Sequence, residues 1–171
     1  AFATSPDYQR EILRAFQTWA AQSNINIAVQ ADGGNPLGTA GARQGDARFG
    51  DVRIAAAQVQ DSDLAIAAPH DPFLAGTWSG DVVFDASAAF GGATGADVFS
   101  VALHEAGHVL GLDHSADPRS VMGPRLTGAR AGLAASDVRA LRALYGTRAG
   151  DPYDAGPGNG PLSLADGLNA I

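Results

Sequence analysis

The run from His104 to His114, with the sequence HEAGHVLGLDH, constrains the fold more than any other feature of this chain. Residues four apart on a helix are separated by about 40° around the axis and about 6 Å along it, so His104 and His108 share one face. Glu105 lies on an adjoining face, where its carboxylate can approach a water bound to an ion held by the two histidines. Gly111 allows the helix to end in a left-handed turn, after which the chain returns with His114 as a third ligand. The run therefore predicts a helix that ends at a metal site.

The ligand types indicate a catalytic zinc ion. Three neutral imidazoles suit zinc, and three protein ligands leave a fourth position open for water or substrate. Zinc in such a site lowers the pKa of its water and polarises a peptide carbonyl, while Glu105 takes the proton and passes it to the leaving amine. Chance is a poor alternative, because these residues at these offsets arise in roughly a few per million shuffles of the composition.

Composition disfavours several other functions. The chain has 171 residues, no Cys and a formal net charge of −7, from 18 acidic and 11 basic side chains. Without Cys, any metal must be held by His and carboxylates. An acidic chain with no basic stripe disfavours a nucleic-acid partner, and no apolar run approaches the roughly 18 residues that span a bilayer. We interpret the acidity as a soluble surface, with calcium ligation by some Asp residues as the alternative.

The hydrophobic pattern predicts one α+β domain over residues 1–146. A helix start at Ser5-Pro6-Asp7 is followed by an apolar face formed by Tyr8, Ile12, Ala15, Phe16 and Trp19. Further helices are expected over residues 97–112 and 135–144. Strand patterns occur at residues 25–30, 51–59, 64–68 and 81–84. Gly, Pro and Asp are abundant in residues 147–171, which we interpret as a linker or tail.

The zinc motif and its surroundings resemble the metzincin metallopeptidases, and within them the matrixins, the group of the matrix metalloproteinases. The HExxHxxGxxH pattern is complete, and Ser115 follows the third His as in matrixins. Met122, within the sequence SVMGP, resembles the family's Met-turn beneath the metal. The resemblance extends over about residues 5–146 and is most specific over residues 97–124. It implies a zincin-like α+β fold with a twisted mixed sheet of four or five strands, three main helices and an active-site cleft.

The resemblance also implies roles for residues outside the zinc motif. Asp137 matches an acidic residue in the family's last helix that braces the Met-turn region. Ala134 takes the place of the Ser that usually caps this helix, so a weaker cap is expected. Pro124 and Leu126 lie where the family forms one wall of its main specificity pocket, with Leu126 in place of the usual Tyr.

Some positions depart from the family pattern. Asp85 matches a calcium-binding Asp, but Ala88 replaces the Glu expected three residues later, so calcium beside the one catalytic zinc is left open. Ile66 and Val83 stand where vertebrate matrixins have His ligands of a second, structural zinc, and we expect no such zinc here. His70 is interpreted as a surface residue rather than a ligand.

The resemblance implies a secreted zinc endopeptidase, and the abundance of Arg, Ala and Gly without Lys suggests a bacterial source. A protein or peptide substrate is expected to lie extended along an edge strand near residues 64–68. Two alternatives are a zinc-containing binding module without catalysis, against which Glu105 argues, and an exopeptidase or amidase with a pocket for a free terminus. Further domains beyond either terminus are left open.

Overall fold

A computed structural model describes residues 6–59, 63–68, 76–90, 97–126 and 128–150 of the chain. Its helices and strands are α1 (Pro6–Ala20), β1 (Ile54–Ala57), β2 (Ala65–Ala67), a 3₁₀ helix (Gly76–Trp78), β3 (Val82–Asp85), α2 (Val98–Val109) and α3 (Ala135–Tyr145). The α+β class is therefore confirmed. Each predicted helix forms, and its ends lie within three residues of the expected bounds. His70 and residues 151–171 of the predicted tail lie outside the described residues.

The strands form one mixed sheet in the order β1-β3-β2. β1 pairs with β3 in parallel, with Ile54 opposite Val82, whereas β2 pairs with β3 in the antiparallel direction, with Ile66 opposite Val83. Alternate residues of a strand face the same side, and Val82 and Phe84 of β3 face the core, where they are buried. β2 is thus an edge strand in the described part of the sheet, as expected for the strand that borders the cleft.

α1 and α2 form the core together with the inner face of the sheet. Trp19 of α1 is fully buried, and its indole Nε1 donates to the Leu103 carbonyl of α2 at 2.8 Å. The other members of the predicted apolar face pack there too, with Ile12, Ala15 and Phe16 buried and Tyr8 partly buried. Every residue of α2 except His108 is buried. The helix that carries the first two histidines of the motif therefore runs through the interior rather than along the surface.

Residues 25–30 do not form the predicted strand. Ile25 and Ile27 pack partly buried against the core, as their alternation predicts, but Val29 is 76% exposed. No described strand lies beside this segment, since β1 pairs only with β3. Alternation indicates which side chains can face the core. A strand also needs a neighbouring strand whose carbonyl and amide groups complete the hydrogen-bond ladder. For this reason the described sheet has three strands instead of the expected four or five.

Arg53 ties the long loop before β1 to the sheet. Its guanidinium donates to the carbonyl of Pro36 at 2.9 Å, to the carbonyl of Thr77 at 2.8 Å and to the carboxylate of Asp81 at 2.7 Å. The Arg53 and Asp81 side chains are only 10% and 1% exposed. A buried charge is tolerated when it is paired and hydrogen-bonded, so these contacts can hold the glycine-rich loop without regular secondary structure.

α2 and α3 have well-defined ends. The Asp97 carboxylate caps α2 by accepting from the Ser100 N–H at 2.7 Å. α3 starts after Ala134, which makes no side-chain cap as expected; instead Asp137 accepts from the Ala134 N–H at 2.8 Å. α3 is followed by Gly146, whose positive φ of 76° is readily adopted only by glycine. Among the described residues, no helix is long and apolar enough to cross a membrane.

Candidate active site

α2 carries the first two histidines of the motif one turn apart. The Nε2 atoms of His104 and His108 lie 3.1 Å from each other, and their ring centroids are 4.7 Å apart. His104 is buried and His108 is partly exposed. The helical spacing thus turns both rings toward one point at the end of the helix, as the sequence predicts.

A tight turn after α2 brings in the third histidine. The Gly111 N–H donates to the His108 carbonyl and the Leu112 N–H donates to the Gly107 carbonyl, both at 2.9 Å. This pair of bonds is the Schellman arrangement at a helix end, and it needs the left-handed φ of 85° that Gly111 adopts. The chain therefore reverses within two residues, and His114 follows on the exposed side of the site.

The three imidazoles meet in a geometry that fits a metal ion. The ring centroid of His114 lies 5.4 Å from that of His104 and 4.9 Å from that of His108. One ring nitrogen from each of the three lies within 4.8 Å of the others. With zinc–nitrogen bonds of about 2.0–2.1 Å, two ligand nitrogens of a tetrahedral site are about 3.3 Å apart. The 3.1 Å between His104 and His108 is close to that value.

Main-chain carbonyls hold the outer nitrogens of two of these rings. His104 Nδ1 lies 2.8 Å from the Val121 oxygen, and His108 Nδ1 lies 2.8 Å from the Leu112 oxygen. Because a carbonyl only accepts, each Nδ1 carries the proton and each neutral ring leaves Nε2 free for a metal. Burial lowers the pKa of His104 and of His108, which favours this neutral, metal-binding form.

Glu105 lies between the ligand helix and the edge strand. Its side chain is buried, and this burial raises its pKa to about 8. The Ala67 N–H of β2 donates to the carboxylate and lowers the pKa, whereas the negative charge of Asp63 raises it. A cation held by the three histidines would also lower this pKa, because positive charge favours the ionised carboxylate. The Glu105 carboxylate is thus held against the edge strand by the Ala67 N–H, on the helix residue that follows His104.

Met122 packs against α2, the helix that carries the first two histidines. It is 2% exposed, and it passes so close to Gly107 that a methyl group there would overlap Met122 Sδ and lie 2.9 Å from Cε. The Ser115 N–H donates to the Met122 carbonyl at 2.7 Å, which joins the segment after the third histidine to the Met-turn. The absence of a side chain at Gly107 therefore decides how closely this turn can approach α2.

Asp137 of α3 lies beneath the same turn. It is 2% exposed and accepts from the Ser120 hydroxyl, from the Val121 N–H at 3.0 Å and from the Ala134 N–H. These are the contacts that a residue bracing the Met-turn would make.

The remaining predicted site residues do not belong to the group of three histidines. Pro124 is exposed and Leu126 is partly buried on the irregular segment between the Met-turn and α3. The Asp85 carboxylate accepts from the Ser87 N–H at 2.9 Å and from the Ser87 hydroxyl, and these bonds lower the pKa of Asp85. Among the described residues, the histidine triad is the only group of three or more such side chains arranged to hold a metal, so Asp85 has no partner set of that kind.

Sequence reasoning missed several groups around the site. Ser120, the Val121 carbonyl and the Ala67 N–H were not singled out, because their partners are distant in sequence or belong to the main chain. Gly107 carried a usable signal, since a glycine inside a helix costs stability and often marks a close approach.

The comparison with protein families decides the wider relationship. The matrixin family model matches residues 3–146. The chain belongs to the matrixin family. This membership confirms the resemblance and supports a zinc metalloendopeptidase, the class that the motif predicts. It does not test the expected bacterial source.

Individual relatives match shorter stretches of the chain. The chain is 37% identical over 73 residues to macrophage metalloelastase of Rattus norvegicus and 46% identical over 55 residues to that of Oryctolagus cuniculus. It is 43% identical over 65 residues to matrix metalloproteinase-25 of Homo sapiens. These matches cover 41%, 30% and 35% of this chain but only 16%, 12% and 12% of the relatives. The matrixin thus aligns with a small part of each relative's length.

Proposed function

We propose that this matrixin is a zinc-dependent endopeptidase that hydrolyses internal peptide bonds of proteins. The observation that carries the proposal is the convergence of three imidazoles at the end of α2, where the residue after the first ligand is the buried Glu105. His104, His108 and His114 would hold the zinc ion through one ring nitrogen each. A binding module has no need of a buried carboxylate next to an open metal position, so this arrangement favours catalysis.

Glu105 would move the proton during hydrolysis. When bound, zinc supplies a Lewis acid that polarises the scissile carbonyl and acidifies a water molecule. The Glu105 carboxylate would take a proton from the attacking water and donate it to the amine nitrogen of the leaving peptide. The Ala67 N–H fixes one side of the carboxylate, so Glu105 need not reorient between the two transfers.

The free edge of β2 would hold the substrate. The Leu64 carbonyl accepts from the Asp85 N–H of β3 at 2.9 Å, and the Ala68 N–H donates to the carbonyl of Asp81, just before β3, at 2.8 Å. The main-chain groups of the alternating residues Ala65 and Ala67 therefore point away from β3, and of these the Ala67 N–H is already taken by Glu105. An extended peptide can add to such an edge through main-chain hydrogen bonds. Recognition of the main chain favours cleavage within a chain, whereas an exopeptidase needs groups that recognise a free terminus.

Several further assignments belong to this proposal. Pro124 and Leu126 would form a wall of the specificity pocket, and Gly111, Met122 and Asp137 would support the ligands. Residues 1–146 would be the catalytic domain, with residues 147–171 as a linker or tail. We also propose that the protein is secreted, comes from a bacterium and uses one zinc ion. Calcium binding at Asp85 stays an alternative.

Replacement of Glu105 by Gln tests the mechanism. The variant keeps the size of the side chain but cannot accept the proton, so we expect a loss of about 10²- to 10⁴-fold in proteolysis with one zinc still bound. The measurement is cleavage of an unfolded protein substrate, with the fragments identified by mass spectrometry and the zinc content determined for each sample. Glu11→Gln is the matched control, because Glu11 is the chain's other Glu and lies in α1 beside Arg14.

The outcomes separate the candidate functions. Internal fragments from the parent and from Glu11→Gln, but not from Glu105→Gln, are expected for an endopeptidase. Release of single terminal residues would instead indicate an exopeptidase. A zinc-loaded parent that cuts no substrate would leave the binding module as the better explanation.

A further inference from the structure

The peptide unit between Val121 and Met122 connects a metal ligand to a hydroxyl group. Its carbonyl, from Val121, accepts from His104 Nδ1 at 2.8 Å. Its N–H, from Met122, donates to Ser120 Oγ at 2.9 Å. The two ends of one peptide group thus contact the most buried histidine and a buried serine, so the orientation of this peptide decides where the carbonyl points.

Ser120 continues this connection to a buried charge. Its hydroxyl donates to Asp137 of α3, which also accepts from the Val121 N–H. Ser120 and Asp137 are 1% and 2% exposed, so bulk water does not compete strongly for these bonds. A continuous chain of hydrogen bonds therefore runs from the His104 ring through one peptide group and the Ser120 hydroxyl to the Asp137 carboxylate.

All three hydrogen bonds in this series run in the same donor-to-acceptor direction. The imidazole N–H donates to the carbonyl, the amide N–H donates to the hydroxyl, and the hydroxyl donates to the carboxylate. Bonds arranged in this sense polarise one another and make the first acceptor, the Val121 carbonyl, a stronger partner for His104. A metal-ligating histidine whose outer N–H meets a strong acceptor binds metal more tightly, because its tautomer and orientation are fixed and its free nitrogen is more basic.

We propose that Ser120 is a positioning residue of the zinc site, which fixes His104 through the Val121–Met122 peptide and couples it to the charge of Asp137. The inference rests on the proposed zinc binding but not on proteolysis. A serine that only filled space would use neither hydrogen-bonding role of its hydroxyl, whereas Ser120 uses both toward the groups that support the ligand.

Ser120→Ala tests this role by removing the hydroxyl while the turn keeps its buried volume almost unchanged. Partners of this kind typically change metal affinity by about 10- to 100-fold, and we expect a loss at the lower end of that range because the coupling is indirect. The measurement is the zinc dissociation constant by competition with a chelator of known affinity. Ser120→Thr retains the hydroxyl and is expected to restore most of the affinity.

Ser23→Ala is the matched control for a buried serine. Ser23 is fully buried, and its hydroxyl donates to the Trp19 carbonyl of α1 at 3.4 Å. We expect this variant to bind zinc within about twofold of the parent. NMR of the histidine ring protons gives a second readout, in which the His104 Nδ1 proton of the zinc-loaded protein should shift in Ser120→Ala and stay in place in Ser23→Ala.

Two outcomes would overturn the inference. The first is Ser120→Ala with the zinc affinity and the His104 proton signal of the parent. The second is an equal loss of affinity in Ser23→Ala, which would show that general destabilisation explains the effect. Tight zinc binding without proteolysis would contradict the proposed endopeptidase alone, whereas a parent chain that binds no zinc would overturn both.

Discussion

The fold leaves no room for a side chain at Gly107. The Met-turn and α1 approach it from two sides, with Trp19 lying 3.1 Å from where a methyl group would be placed. We expect Gly107→Ala to lower the free energy of unfolding by about 1–2 kcal/mol, because overpacking of a core costs about 1–3 kcal/mol and the better helix propensity of Ala returns up to about 1 kcal/mol. Urea unfolding of the two proteins measures the difference.

Gly132→Ala is the control for the Gly107 variant. A methyl group at Gly132 would meet nothing within 4 Å, so only the backbone preference changes there. If Gly107→Ala proved as stable as the parent, Met122 would have to move away from α2 without cost, and the close approach would not be a constraint.

Single residues also show how far the sequence alone defines the site. The histidines and Glu105 could be identified because their spacing within one motif already determines their relative positions on a helix. Ser120 and Asp137 are 17 residues apart, and their contact depends on how α3 docks beneath the Met-turn. No local pattern encodes such a contact, so Asp137 could be identified only through the family resemblance and Ser120 only from the structure.

At the scale of elements, the end of α2 determines where the third ligand lies. Gly111 has a φ of 85°, and a methyl group there would meet only Leu144, at 3.8 Å. Space is therefore available, and the cost of Gly111→Ala comes from the left-handed backbone, about 1–2 kcal/mol. We expect the variant to lose stability by about this amount and also to bind zinc several-fold more weakly, because a relaxed turn displaces His114.

Gly146→Ala separates the two effects. Gly146 also has a positive φ, 76°, just after α3, and its ψ of 171° is likewise restricted to glycine, with nothing within 4 Å of an added methyl group. We expect at least as large a destabilisation but unchanged zinc affinity, determined by thermal unfolding and chelator competition. Equal zinc affinity in the parent and in Gly111→Ala would show that the turn does not position His114.

The helices were predictable from the sequence, but not every strand was. Asp97, the apolar face of α1 and Gly146 act within a few residues of the elements they define, so local chemistry is sufficient. Ile25 and Ile27 follow the same kind of rule and are partly buried as expected. A strand also needs a neighbouring strand to pair with, and the described sheet has none beside residues 25–30. The side-chain pattern of one segment cannot show whether such a neighbour exists.

At the scale of the whole molecule, the candidate metal site lies at one end of the hydrophobic core. The core joins α1, α2 and β3 through Trp19, Leu103 and Phe84, each fully buried. The metal ligands meet at the exposed end of α2, where His114 belongs to the segment after the helix. The core can therefore persist without the metal, in contrast to small zinc domains that unfold when it is removed.

Zinc removal tests this separation. A ligand at about 1,000 times its dissociation constant stabilises the native state by about 4 kcal/mol, so we expect chelation to lower the melting temperature by several degrees or more. At 25 °C the helical circular dichroism should remain, because α1 and α2 stay packed. Hydrogen exchange should accelerate mainly in residues 111–122, which the ligand His114 and the Met-turn hold in place. Loss of helical signal on chelation at 25 °C would mean that the core depends on the metal and that the two parts fold as one.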